Sequence, residues 1–215
     1  MQLVSVNVGL PREVTWHGRV VRTSIWKHPV EGLVHVSSLN LAGDQQSDLS
    51  VHGGKEKAVY ANPREHYEYW RRELPATDLV WGAFGENFTT EGLLERDIRI
   101  GDRIRVGSAE FLVTQPRMPC FKLGVRFGRD DMVKRFLRSG RSGFYLAVIR
   151  EGEVASGNSL EIVGRDEHGV TVADIASLYA RDRDNEDLLR RAVDVPALPE
   201  SWKGYLRKRL FEPDV

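Results

Sequence analysis

Cys120 is the chain's one cysteine, and it closes the run Gln115-Pro116-Arg117-Met118-Pro119-Cys120, followed by Phe121 and Lys122. Two prolines fix the backbone and withhold two amide donors, so the run reads as a rigid loop after a strand. Arg117 and Lys122 flank the thiol with positive charge, a setting that favours thiolate, and thiolate is the form that binds soft metals. The competing reading is a small buried apolar side chain, since cysteine outside disulfides is among the most buried residue types.

Three other segments carry residue types suited to a ligand. Gly43-Asp44-Gln45-Gln46-Ser47-Asp48 is followed by Val51-His52-Gly53-Gly54-Lys55-Glu56-Lys57-Ala58. Adjacent glycines let the backbone approach a ligand and aim successive N–H groups at it, and Lys55 and Lys57 offer charge for a phosphate. The spacing is not that of a Walker loop. A hairpin turn with solvated lysines would use the same residues. In the second segment, Trp81-Gly82-Ala83-Phe84-Gly85-Glu86-Asn87-Phe88, the Asn87 amide can donate to and accept from a heterocycle, or simply occupy a left-handed turn. In the third, Arg138-Ser139-Gly140-Arg141-Ser142-Gly143, two guanidinium groups suit an anion, as does a flexible basic loop without a ligand. His17, His28, His35, His66 and His168 show no paired metal-ligand spacing.

Composition limits the function classes. The chain has 215 residues, 41% hydrophobic and 29% charged, so a packed core is expected. Zero net charge argues against a nucleic-acid partner, which demands a cationic excess. Residues 99–141 hold eleven Lys/Arg against four Asp/Glu, while residues 73–97 hold six acids and one base. These blocks are either solvated faces of opposite sign or a local field for an anionic ligand. A single cysteine excludes an intramolecular disulfide, a four-cysteine iron–sulfur site and a cysteine-rich zinc site within one chain. The start lacks signal-peptide character, and no run approaches the roughly 18 apolar residues of a membrane helix. A cytoplasmic protein without membrane attachment is expected.

Strands must position these residues. Alternation marks residues 2–8, 97–106, 110–114, 144–149 and 159–163, with short β-branched runs at 19–22, 24–26 and 33–36. Many short strands joined by glycine-rich turns suggest a closed or nearly closed barrel. Helices are expected from Pro63 to about Leu74 and over residues 130–137. Composition changes at residues 164–169, and three short helices should follow. The first is capped by Thr171 with Asp174, the second spans about residues 185–193, and the third opens near Pro199. This tail is marginal as an independent unit, so it should pack on the barrel or on a second copy, which makes a homodimer plausible.

Taken in order, GDQQSD, VHGGKEKAVY, WGAFGENFTTEG, IGDRIRVGSAEFLVTQPRMPC and GFYLAVIREGEVASGNSLEI resemble the MOSC-domain family, molybdenum cofactor sulfurase C-terminal domains. The chain is similar more narrowly to the bacterial YiiM-type subgroup. The likeness covers roughly residues 1–163, and the helical tail also fits that subgroup. It implies a mainly β fold with α-helices: a MOSC-type β-barrel over residues 1–164 and a small three-helix domain over 165–215.

The resemblance further implies binding of the molybdenum cofactor, a molybdopterin with a terminal phosphate and a dithiolene that chelates molybdenum. A family-level association with pyridoxal phosphate comes with it. By motif position Cys120 would supply the metal's thiolate ligand, with Arg117 beside it in a catalytic role. His52, Gly53, Gly54, Lys57 and Asn87 become candidate pterin or phosphate contacts, and Arg117 and Arg141 candidate anion contacts. The subgroup is associated with reducing N-hydroxylated compounds such as hydroxylamino-purines and amidoxime-like substrates. One cysteine leaves no room for a built-in ferredoxin-like module. A separate flavoprotein or ferredoxin would therefore supply electrons, docking on residues 99–141. The alternatives are a non-redox cofactor carrier or sulfur-handling protein, and an adaptor that has lost the cofactor.

Overall fold

The structure, a computed structural model, describes residues 1–47 and 53–211. In chain order the elements are β1 (Gln2–Val8), β2 (Arg12–Trp16), β3 (Arg19–Thr23), β4 (His28–Val30), β5 (Val34–Val36), β6 (Val59–Pro63), α1 (Glu65–Glu73), β7 (Phe88–Glu91), β8 (Arg103–Val106), β9 (Ala109–Pro116), α2 (Phe121–Phe127), α3 (Met132–Ser139), β10 (Phe144–Arg150), β11 (Gly152–Val154), β12 (Leu160–Gly164), α4 (Val172–Ala180), α5 (Glu186–Asp194) and α6 (Glu200–Phe211). A single helical turn, Lys55–Lys57, precedes β6.

Eight strands form one sheet in the order β12-β8-β9-β10-β6-β7-β1-β4. Its neighbours are antiparallel except β6 and β7, whose connection passes through α1 and so permits a parallel pair. The sheet curls so that β1, next to the end strand β4, reaches the entry of the other end strand, β12. Leu3 N–H donates to the Asn158 carbonyl at 2.9 Å, and Leu160 N–H donates to the Met1 carbonyl at 2.9 Å. A bridge between Gln2 and Ser159 lies between them. This seam joins β1 to the entry of β12 and hides two strand edges.

The apolar side chains divide into two bodies. Leu3, Val6, Phe88, Ile104, Phe111, Val113, Phe144 and Leu146 fill the barrel. Val172, Ile175, Leu178, Leu189 and Leu206 from α4, α5 and α6 belong to the same cluster, so the tail packs directly on the barrel. The second body joins α1, α2 and α3 to the loop before β7 through Tyr67, Trp70, Phe84, Leu123, Met132 and Phe136. Trp70 stacks on Phe136 with ring centroids 5.7 Å apart. Met118 packs against the first body and Leu123 belongs to the second, so the loop carrying Cys120 links the two.

The tail starts where its capping residues direct. Thr171 accepts from Asp174 N–H, and the Asp174 carboxylate accepts from Thr171 N–H, a reciprocal capping box. Asn185 caps α5 by accepting from Leu188 N–H at 3.1 Å.

Several local expectations are corrected. Residues 24–26 are not a strand, because the Thr23 hydroxyl captures Ile25 N–H at 3.2 Å and withdraws it from any ladder. Only Arg103–Val106 of the expected strand at 97–106 is extended. The Asp102 carboxylate accepts from Arg99 N–H and Asp166 N–H, both at 2.9 Å, and folds the preceding residues into a turn. Ile98 and Ile100 still reach the core, so the apolar alternation misled. Pro63 ends β6, and α1 begins at Glu65.

Candidate functional site

Cys120 sits at the point where β9 gives way to α2. It is the last extended residue before the helix, with φ −124° and ψ 172°, and is partly exposed. Its side chain lines two cavities that share Lys57, Cys120 and Tyr145 as a common wall.

The first cavity has an empty volume of about 600 Å³, including space open to solvent. Lys27, Lys57, Arg117 and Lys122 line it, and Asp44 is the described acid among its walls. Lys27 and Asp44 form a buried ion pair of 2.5 Å. Burial pushes the Lys27 ammonium below its usual pKa, and the Asp44 carboxylate pulls it back up. Arg117 is 5% exposed, with its guanidinium carbon 5.5 Å from the Tyr60 ring centroid and 5.1 Å from that of Phe136. Its Nη1 is buried and has no hydrogen-bond partner, and the same is true of Ser24 Oγ in the same wall. Burial raises the Tyr60 and Tyr145 hydroxyls above their usual pKa, the Arg117 charge opposing it in both.

This donor set suits an anion. A buried guanidinium N–H without an acceptor costs about 1–3 kcal/mol, which a phosphate or similar oxygen would recover. A sulfur on the same wall suits a soft metal carried by such a group. Among the described residues no group of three or more His, Cys, Asp and Glu converges as an all-protein metal site. The cationic lining and its sulfur fit an anionic organic group that carries a soft metal, and Cys120, Arg117, Lys57 and Lys122 are the residues that would hold it.

Of the residues singled out in the sequence, Cys120, Arg117, Lys57 and Asn87 come together in this cavity. Asn87 is committed internally. Its amide nitrogen donates to Asp44 Oδ2 at 2.9 Å and to the Asn7 carbonyl at 3.3 Å, while its oxygen accepts from Tyr60 N–H at 3.1 Å. It shapes the wall by tying β1 and β6 to Asp44. Gly53 and Gly54 precede the Lys55–Lys57 turn outside the cavity lining, and the Gly54 carbonyl accepts from Lys57 N–H at 3.1 Å. Arg141 lies elsewhere, with its guanidinium 4.0 Å from the Tyr69 ring centroid and donating to the Ser139 carbonyl at 3.0 Å. His52 is outside the described residues.

Six of the eleven cations of residues 99–141 fall into three settings. Arg103 and Arg105 pair with Glu110, Arg129 and Arg135 pair with Asp131, and Arg117 and Lys122 enter the cavity. Sequence reasoning missed Lys27, Ser24 and Tyr145. Lys27 carries no local signal, since its partner is 17 residues away. Tyr145 stood in a recognised strand, with nothing to mark its facing.

Comparison with known proteins now decides the family. A family model described as "MOSC domain" matches residues 48–161, and one described as "YiiM-like, 3-alpha helix domain" matches residues 170–211. The chain belongs to the MOSC-domain family. Among MOSC relatives, the protein YiiM of Escherichia coli is 38% identical over 189 residues, covering 87% of this chain and 84% of that one. The crystal structure of YiiM from Geobacillus stearothermophilus superposes with a TM-score of 0.81 at 36% identity, covering 97% of this chain and 98% of that one. A Gibberella moniliformis protein named "Reductase" is 31% identical over 182 residues, covering 83% of this chain and 32% of that longer protein. MOSC domains are associated at family level with molybdenum-cofactor binding, whereas no finding supports pyridoxal phosphate. No described helix is long and apolar enough to cross a membrane.

Proposed function

We propose that this MOSC protein holds a molybdenum cofactor in the cavity between Arg117 and Lys122, with the Cys120 sulfur toward the metal, and reduces N-hydroxylated compounds there. The observation that carries this reading is the cysteine opening onto a cationic cavity in which a buried Arg117 donor has no acceptor. MOSC membership and the relative named "Reductase" support it. In this reading residues 1–164 hold the cofactor and residues 165–215 wall its approach.

When bound, the cofactor supplies the two-electron chemistry that cleaves an N–O bond. The chain does the rest. Cys120, at the head of α2 and behind Pro119, presents its sulfur from a rigid turn. Arg117 keeps a positive charge aimed into the cavity, where it steadies an anionic group and any negative charge that develops on a departing oxygen. Tyr145, whose burial keeps its hydroxyl protonated, stands at the common wall near both Arg117 and Cys120 and can hand over a proton from Oη. Electrons come from a separate flavoprotein or ferredoxin.

The test is turnover by protein made in a cofactor-competent host, with a reduced dye and a hydroxylamino-purine or an amidoxime. Wild type should consume both dye and substrate, and Cys120→Ala should not. Equal turnover by the variant would remove the ligand role of Cys120. A loaded protein that reduces neither substrate would favour a carrier or sulfur-handling role.

A further inference from the structure

Arg117 is held from behind. It is the first residue past β9, and its N–H donates to the Gly143 carbonyl at 3.2 Å, just beyond the Pro116–Phe144 pair of β9 and β10. Gly143 is itself gripped on two sides. Its φ is +62°, and a Cβ there would lie 2.4 Å from the Ala61 carbonyl oxygen, so glycine lets this backbone press against β6. Its N–H donates to Glu95 Oε1 at 2.6 Å, a short bond of the charge-assisted kind. Beside it, the Ser142 carbonyl accepts from the Tyr60 hydroxyl at 2.9 Å.

Glu95 and His66 line neither cavity at Cys120, yet each is only 5% exposed. His66 Nε2 lies 3.1 Å from Glu95 Oε2, and His66 Nδ1 lies 3.2 Å from Asn62 Oδ1. Both carboxylate oxygens are therefore engaged, one by α1 and one by the entry to β10, and the plane of the group is set. A buried carboxylate needs such partners, and here one of them is the peptide that holds Arg117. The main chain of the same residue reaches the tail, because the Glu95 carbonyl accepts from Ala173 N–H at 3.0 Å in the first turn of α4.

We propose that Glu95 is a positioning residue for Arg117. Backed by His66, its carboxylate sets the Gly143 peptide, and the Gly143 carbonyl sets the Arg117 backbone, so the guanidinium is in place before any ligand arrives. This rests on the reading that Arg117 holds the anionic group. Arg117 Nη1 has no partner of its own, so its aim depends on what fixes the rest of the residue. A donor ordered in advance loses less freedom when an anion binds.

The test is NMR on the full cofactor-free chain, following the Arg117 Nε–H and the Gly143 and Arg117 backbone N–H signals during titration with inorganic phosphate. Glu95→Met should displace all three signals and weaken phosphate binding at Arg117 about three- to tenfold. Glu95→Gln keeps an oxygen for the Gly143 N–H and should restore both the signals and the affinity. His66→Leu, which frees one side of the carboxylate, should move the same signals, and it serves alone if Glu95→Met does not fold. Arg117 signals and phosphate affinity unchanged in Glu95→Met would overturn the proposal and reduce Glu95 to a stabilising contact. So would a displacement that Glu95→Gln shares in full. Signals that move in Glu95→Met and return in Glu95→Gln, in a chain whose wild type binds no phosphate, would defeat the anion-holding reading of Arg117 and leave the positioning role standing.

Discussion

Lys27 and Asp44 are paired at 2.5 Å, with side chains 8% and 2% exposed, where the loop after β3 meets the loop after β5. Asp44 also accepts from Gly9 N–H at 2.8 Å and from Asn87 Nδ2 at 2.9 Å. Gly9 is required at that approach, because a Cβ there would lie 2.3 Å from the Trp26 carbonyl oxygen. One carboxylate therefore gathers four stretches of chain into one wall of the cationic cavity.

Removing that carboxylate leaves a buried ammonium without its partner. Asp44→Ala should lower unfolding free energy by about 3–5 kcal/mol, measured by denaturant titration. A loss below about 1 kcal/mol would mean that water replaces the carboxylate and that the pair is not a structural tie.

Arg117 should show a trade of stability against binding. Its buried Nη1 has no partner in the cofactor-free protein. Arg117→Met should therefore leave cofactor-free protein at least as stable as wild type, while molybdenum and pterin retention falls sharply. Destabilisation of several kcal/mol would instead assign the guanidinium to packing between Tyr60 and Phe136.

Glu86 gives a signed pH dependence. It is fully buried, and burial raises its carboxyl above the usual value of 4.5 despite hydrogen bonds from Tyr67, Gly82 and Thr89. The native state then binds more protons than the unfolded chain between the two values. Stability from this group is complete below the unfolded pKa and is lost as pH rises through the folded one. Glu86→Gln should flatten that slope even if it lowers stability throughout. An unchanged slope in thermal melts across the acidic range would contradict the assignment.

The tail offers a smaller, local effect. Thr171→Ala removes the hydroxyl that accepts from Asp174 N–H at 3.1 Å. A loss of about 1 kcal/mol is expected in equilibrium unfolding.

Much of the frame was legible because its signals are local. The capping box at Thr171, the cap at Asn185 and the alternating runs that became β1, β9, β10 and β12 each declare themselves within a few residues. So did the Cys120 loop, through its two prolines. Other features depend on partners far along the chain. The β6–β7 pair is parallel and short, and Phe88–Glu91 is too brief to show a period. Helix α2 went unread, since it is only seven residues long and carries Gly124 in its middle. Gln115 and Trp202 meet only after the tail has folded back onto the barrel, and Lys27 finds Asp44 only once the wall around Asn87 has closed. Arg141 was chosen for its chemistry, but the chain places it over Tyr69 instead of in the cavity.

The central claim is that the Cys120 sulfur reaches a cofactor-borne molybdenum. X-ray absorption at the molybdenum edge, on loaded wild type beside Cys120→Ala, tests it most directly. The expected result is bound molybdenum in the wild type, with a sulfur shell that loses one scatterer in the variant. A sulfur shell identical in the two proteins, or a wild type that retains neither molybdenum nor pterin, would contradict it.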